Sequence, residues 1–437
     1  MNYNKVFHNA KWIIGCKIVQ SLLQLVVGML TARYLGPSNY GLINYAAAVV
    51  AFAVPVMQLG LQSTLVQEYV ERPEAEGETM GTSLVMNMVS AIACVIGVTA
   101  FAMVANRGER ETIVVCSLYS ITLLFQSIEM LQYWFQAKLL SKYSSLAMLG
   151  SYLVVSAYKI YLLVTGKSVY WFALSHAVEY CATGSLLLLA YRKAGVQKLT
   201  VSLKAAKRMF AKSRHYIAAM LMVVVYNSAG NVLLKLLSGE TENGFYSAAF
   251  TCTCITMFVF TAIIDTARPV VLESRQKSQA LFEKNVSRVY AIIIYLSLTQ
   301  GVFFTVFANL IIKILYGASY LPAVPVLQIL VWNTIFSYMG FVRNIWILAE
   351  EKHHVLVWIN LSGAVSNLLL NFCLIPLWGA CGAAVTTVLT QIITNFIMGF
   401  LLKPIRSHNR LLLKGLDPRL LFEMFSEIKQ KFSEQNA

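Results

Sequence analysis

Twelve apolar runs, each long enough to cross a lipid bilayer, dominate this sequence. They lie near 12–33, 40–62, 81–104, 113–136, 143–164, 169–190, 215–237, 245–266, 288–308, 323–348, 355–376 and 380–402. A hydrocarbon core of about 30 Å takes roughly 20 apolar residues per helical crossing, so these runs account for most of the 437 residues. Composition agrees: 58% of the chain is apolar and 13% charged, whereas a soluble domain carries about 25% charged residues. A large globular catalytic head is excluded. So is a nucleic-acid-binding domain, despite the net charge of +15.

The positive charge is instead a topology signal, because cytoplasmic loops keep an excess of Lys and Arg. With the N-terminus inside, 26 of the 35 basic residues fall in inner loops and tails, six at the outer side and three within runs. Both termini are therefore expected in the cytoplasm, which requires an even number of crossings. Eight basic residues between Arg192 and Arg214, interleaved with Val201, Met209 and Phe210, read as a helix on the anionic inner leaflet. After Asp417-Pro418, the spacing of Leu421, Met424, Phe425, Ile428 and Phe432 predicts an amphipathic tail helix.

A shift of 203 residues lays the seventh run on the first. Lys5, Phe7 and Lys11 fall on Arg208, Phe210 and Arg214; Gly36 and Gly41 fall on Gly239 and Gly244; Gln24 falls on Asn227. Apolar composition cannot supply matches at polar and glycine positions. The expected fold is an all-α integral membrane protein of about 12 transmembrane helices in two pseudo-symmetric six-helix bundles, with the substrate path between the halves. Its parts are 1–191, the first bundle; 192–213, a basic cytoplasmic linker; 214–402, the second bundle; and 403–437, a cytoplasmic tail.

The stretch Ala32-Arg33-Tyr34-Leu35-Gly36-Pro37-Ser38-Asn39-Tyr40-Gly41 resembles the signature after the first helix of polysaccharide flippases. These belong to the multidrug/oligosaccharidyl-lipid/polysaccharide (MOP) exporter superfamily. Gly60-Leu61, Trp134-Phe135-Gln136, Tyr316-Gly317 with Pro322-Ala323, and Pro376 with Gly379 are similar to the same family. The resemblance covers essentially the whole chain. It implies two six-helix bundles of the MOP fold and export of an undecaprenyl-diphosphate-linked O-antigen-type repeat across the bacterial inner membrane. It also implies membrane lipids, a polysaccharide polymerase and a chain-length regulator as partners, and no nucleic acid.

An ionised side chain deep in a bilayer costs roughly 2.5–3.5 kcal/mol on insertion scales, so those inside the runs should face a wet interior, one another or the interface. Lys17, Gln20 and Gln24 share one face of the first run, and Asn227, Asn231 and Lys235 share one face of the seventh. Under the 203 shift the two stripes coincide, as a shared central cavity demands. With Arg343 and Lys159 they form the candidate substrate cavity. Cations there would compensate a diphosphate, and the amides would serve sugars. Glu129, Glu179 and Asp265 are candidates for ion coupling, because buried carboxylates exchange protons; Glu179 with Lys159 alternatively makes a structural ion pair.

No cofactor or metal site is expected. All eight cysteines sit in or beside apolar runs, and Cys252 and Cys254 lack a second ligand pair. Gly166-Lys167-Ser168 has Tyr161 where a phosphate loop needs glycine, and His353-His354 lacks ligand spacing. The first run is too long for a cleavable signal. Two other functions compete with glycan export: a cation-coupled multidrug exporter, which favours intramembrane acids, and a membrane glycan polymerase or ligase, which favours a large outer loop. Three intramembrane bases match three acids here, and the longest outer connection is only about 14 residues.

Overall fold

The computed structural model describes residues 3–194, 197–420, 422, 423 and 426, with side chains from Gly15 onward except that of Lys17. Among them every regular element is a helix. The chain divides into two compact units, Met1–Gly244 and Phe245–Ala437.

The first unit holds α1 (Tyr3–Met57), α2 (Leu65–Glu71), α3 (Glu76–Ala105), α4 (Arg110–Ser120), α5 (Thr122–Gln126), α6 (Leu131–Ala137), α7 (Ser141–Val164), α8 (Val169–Lys193) and α9 (Leu203–Ser238). The first turn of α10 (Glu240–Cys254) belongs to it as well. The second unit continues with α11 (Met257–Lys277), α12 (Gln279–Leu315), α13 (Ala323–Leu330), α14 (Asn333–Ala349), α15 (Val355–Ile392), α16 (Met398–Leu401) and α17 (Arg406–Gly415).

Among the described residues, nine helical segments are long and apolar enough to cross a membrane, and α10 with α11 makes a tenth that bends by 42°. The two longest of the nine, Ile18–Met57 and Val355–Leu401, each contain a break. At 1.5 Å per residue, Ile18–Met57 would reach about 60 Å, twice the hydrocarbon core. α1 breaks at Gly36 (φ 72°, ψ 172°), and α15 breaks at Gly379 (φ 53°, ψ −128°). Each break makes two crossings of one helix, and the twelve apolar runs are recovered.

The junction expected at 192–213 differs from its sequence reading. Residues 197–202 have no regular structure and lie along α3, where Thr200 N–H donates to Gly77 O at 3.3 Å and Ser202 N–H to Thr82 Oγ1 at 3.1 Å. A Cβ on Gly81 would stand 2.3 Å from Thr200 O, so only glycine admits the strap. The Ser202 hydroxyl then accepts the Ala205 N–H at 3.3 Å, a standard N-cap, and α9 runs unbroken to Ser238. From Lys204 to Arg214 the basic stretch is thus the first three turns of a helix long enough to span the membrane, while Arg192 and Lys193 end α8 and Lys198 lies in the strap.

In the first unit, one apolar cluster gathers Tyr45, Leu123 and Phe172, and another gathers Leu61, Trp134 and Tyr191. In the second, Phe260, Tyr290 and Trp346 pack with Leu412 of α17. The start of the tail is therefore core. The proposed amphipathic positions Leu421, Met424, Phe425, Ile428 and Phe432 lie outside the described residues.

Candidate functional site

The 203-residue correspondence has a physical counterpart in the first unit. Gly239 (φ 92°, ψ 171°) repeats the conformation of Gly36. Just beyond these turns the two chain segments cross. A Cβ on Gly41 would lie 1.8 Å from Glu240 O, and one on Gly244 would lie 1.9 Å from Pro37 O. Pro37 and Glu240 are themselves 203 apart, so the crossing is reciprocal. Asn243 Nδ2 donates to Gly41 O at 2.8 Å and Ser38 Oγ to Glu240 Oε1 at 3.4 Å.

Near this crossing α9 carries Lys235, which is only 4% exposed. Its ammonium donates to Asn106 Oδ1 at 2.7 Å, pairs with the Glu109 carboxylate, and stands 5.2 Å from the centre of the Tyr45 ring. The turn between α3 and α4 supplies both partners. Asn106 ends α3, its Nδ2 donating to the Tyr45 hydroxyl at 3.0 Å, and Glu109 precedes α4 and accepts from Thr112 Oγ1 at 2.8 Å. The Lys235 hydrogen bond holds the Glu109 carboxyl below its ordinary range. A buried cation is tolerated because it is paired and hydrogen-bonded. Glu109 stays about half exposed, so it is the solvent-facing member of a cluster in which Lys235, Asn106 and Tyr45 are buried.

The polar stripes remain accessible below it. Gln24 and Asn227 are exposed, and Gln20 and Asn231 are half-buried. Lys17 lies in α1, but its side chain is outside the described set. At the opposite end of α9, Arg208 and Lys212 converge on Glu68, at 2.7 and 3.2 Å, with Arg72 at 3.8 Å. The Glu68 side chain is 3% exposed. These bases, expected to face anionic lipid, are spent on a buried carboxylate of α2.

A second polar cluster lies inside the first unit. His176 Nδ1 is 3.8 Å from Glu179 Oε2, and the Tyr119 ring lies tilted against His176, centroids 4.8 Å apart. Lys159 of α7 and Glu129 both lie within electrostatic reach of Glu179. The fold therefore brings together Lys159, Glu129 and Glu179 from three apolar runs.

Arg343 and Asp265 belong to the second unit and are occupied differently. Arg343, 5% exposed, donates through Nη1 to Thr394 O at 2.8 Å, in the π-helical turn 393–397, and through Nη2 to Asn344 Oδ1 at 3.3 Å. It ties α14 to the twelfth crossing. Asp265 is exposed, with Arg268 one turn away at 3.6 Å.

Asn106 and Glu109 escaped the sequence reading, which set Lys235 in a polar stripe and named no partner for it. The available signal was the polar break Asn106-Arg107-Gly108-Glu109, which sets an acid beside an amide in a short turn.

The chain has relatives of matching length. It is 21% identical over 413 residues to "Putative O-antigen transporter" of Escherichia coli strain K12, covering 91% of this chain and 97% of that protein. It is 21% identical to the capsular polysaccharide biosynthesis protein CapF of Staphylococcus aureus, covering 88% and 96%. In fold it is similar to the lipid II flippase MurJ in an inward closed conformation, with TM-score 0.71, 15% identity and coverage of 95% of this chain and 92% of that one. An inward-facing MATE-family multidrug transporter of the MOP superfamily gives TM-score 0.68 at 14% identity, covering 91% and 96%. The sequence profile of one family spans residues 6–275, well over half the chain. The chain belongs to the polysaccharide biosynthesis protein family.

Proposed function

We propose that this protein is a flippase that carries a polyprenyl-diphosphate-linked oligosaccharide from the inner to the outer leaflet of a bacterial plasma membrane by alternating access. The observation that carries this reading is Lys235, a buried cation on the same helix as Asn227 and Asn231, covered on its exposed side by the single carboxylate of Glu109. A diphosphate is a stronger acceptor than a carboxylate and can displace it on the ammonium. The exposed amides of Gln24 and Asn227 offer donors and acceptors to sugars. The names of the full-length relatives, an O-antigen transporter and a capsular polysaccharide protein, support the same substrate class.

Transport of this kind makes and breaks no covalent bond, so no catalytic residue is assigned. Glu129, Glu179 and His176 form the proposed ion-coupling group, with Lys159 as the counter-charge that sets their occupancy. The 26-to-6 distribution of basic residues supports a topology with both termini in the cytoplasm. A polymerase and a chain-length regulator would act on the exported product.

Complementation of a flippase-null bacterial strain, read as surface polysaccharide, tests the proposal. Restoration by the wild-type chain and its loss in Lys235→Ala, at equal membrane abundance, is the expected result. Drug resistance without restored polysaccharide would transfer the assignment to multidrug export.

A further inference from the structure

An apolar groove of about 590 Å³ opens in the first unit between the second half of α1 and α3, within the 300–1,000 Å³ range of small-molecule sites. Its walls are two helical stripes. Val49, Ala53 and Val56 recur at i, i+4, i+7 on α1, and Ala93, Gly97 and Phe101 at i, i+4, i+8 on α3. Eight residues of helix rise about 12 Å, so the groove is a lane along the helix axes and suits an extended chain better than a compact molecule.

The lane offers no polar anchor of its own. Ser90 Oγ donates to Val56 O at 3.0 Å and Cys94 Sγ to Ala53 O at 3.7 Å, so both wall groups are satisfied by α1 carbonyls. Ala93, Gly97 and Phe101 are exposed, and a Cβ on Gly97 would meet open space. An apolar chain entering here satisfies every surface it touches.

One end of the lane is polar. Val232 of α9 closes one wall, and Lys235 lies three residues on, on the same face of that helix. On α1, Tyr45 sits one turn beyond Val49; on α3, Asn106 lies one turn beyond Ala102 and the Phe101 level. Those two residues contact Lys235. The lane thus runs into the Lys235–Asn106–Glu109 cluster within about one helical turn. An apolar slot leading to a buried cation is the complement of an anionic amphiphile with a long chain.

We infer that this groove binds the polyprenyl chain of the lipid carrier, with its phosphate at Lys235. The inference takes its head group from the proposed function, but the slot stands on its own geometry. With α9 oriented as its charges indicate, the head lies toward the outer leaflet and the chain toward mid-membrane. The groove then receives the lipid after passage and holds the tail parallel to its neighbours in the bilayer.

The test uses the full chain in phosphatidylethanolamine/phosphatidylglycerol vesicles and undecaprenyl phosphate carrying a diazirine along the chain. Irradiation should label the peptide spanning Ser90 to Phe101. Gly97→Phe should reduce labelling by about tenfold or more, the loss that follows from removing a few buried apolar contacts. Ile96→Phe, on the same helix but at an outward position that is 65% exposed, controls for folding and should label normally. Lys235→Gln should weaken labelling by the charged phosphate and leave that by the free polyprenol unchanged. Equal labelling by a diazirine phosphatidylglycerol would make the occupant bulk lipid and overturn the inference, as would labelling unaffected by Gly97→Phe or absent from this peptide. Normal groove labelling in a protein that fails to restore surface polysaccharide would refute the flippase reading and leave the groove standing.

Discussion

Gly41 and Gly244 occupy the same point of a two-fold crossing, each excluded from carrying a Cβ by the backbone carbonyl opposite it, Glu240 O for the first and Pro37 O for the second. Contacts of 1.8 and 1.9 Å to backbone cannot be relieved by a rotamer change, so an added methyl must separate the segments. Overpacking of this kind costs about 1–3 kcal/mol. Gly41→Ala and Gly244→Ala should each open the crossing. A cysteine introduced at Ser38 should then react faster with a membrane-impermeant maleimide, and export should fall. Unchanged reactivity at Ser38 would show that the crossing is not held closed by these glycines.

That correspondence was legible because it is written in residues that apolar composition does not supply: Gly36 and Gly239, Gly41 and Gly244. The twelve crossings were legible for a simpler reason, since a bilayer imposes a fixed length on every run. Pairings between distant positions were not. Lys235 meets Asn106 and Glu109 across more than 120 residues, and no periodicity reports such a contact. Arg208 and Lys212 looked like lipid-facing charges because spacing and sign cannot distinguish a phospholipid head from the carboxylate of Glu68. Nor did any periodicity report that Arg343, expected at the cavity, donates to Thr394 O in the π-helical turn.

The Lys235–Glu109 pair predicts a dependence on pH. Lys235 lowers the Glu109 pKa below its ordinary 4.5. Glu109 therefore contributes stability that is complete above about pH 4.5 and is lost as the pH falls through the lowered value. Thermal unfolding of the wild type should weaken across that acid window, and Glu109→Gln should flatten the profile. Because Glu109→Gln leaves a buried ammonium facing a neutral amide in place of a carboxylate, it should destabilise by about 1–3 kcal/mol. Adding Lys235→Met should recover much of that loss and abolish export. Additive effects of the two substitutions would deny the coupling.

Glu129 and Glu179 should separate coupling from binding. In proteoliposomes, Glu179→Gln should lose uptake driven by a proton or sodium gradient while exchange of lipid-linked glycan down its own gradient persists. Glu129→Gln should do the same. Loss of exchange along with gradient response would place the acids in the substrate path instead.

Glu68 holds the beginning of α9 to α2 through Arg208 and Lys212. Its removal leaves Arg208 without its buried partner, while Lys212 is nearly half exposed and keeps Glu71, and losing charged hydrogen bonds of this kind costs about 1–3 kcal/mol. Glu68→Ala should lower thermal stability in detergent by that order. Arg208→Ala combined with Glu68→Ala should cost less than Glu68→Ala alone, since the stranded charge goes with its partner.

Arg343 provides the sharpest division between architecture and transport. Its Nη1 bond to Thr394 O lies where the helix widens into a π turn, and Asn395 beside it donates to Gln391 Oε1 at 2.5 Å. A π turn leaves carbonyls without their usual partners, and a guanidinium can serve them where an ammonium serves fewer. Arg343→Lys should therefore lower thermal stability by about 1–3 kcal/mol, and export at permissive temperature should fall only in proportion to folded protein. Export lost at wild-type stability and abundance would return Arg343 to the substrate path, because a fastener cannot fail without loosening what it fastens.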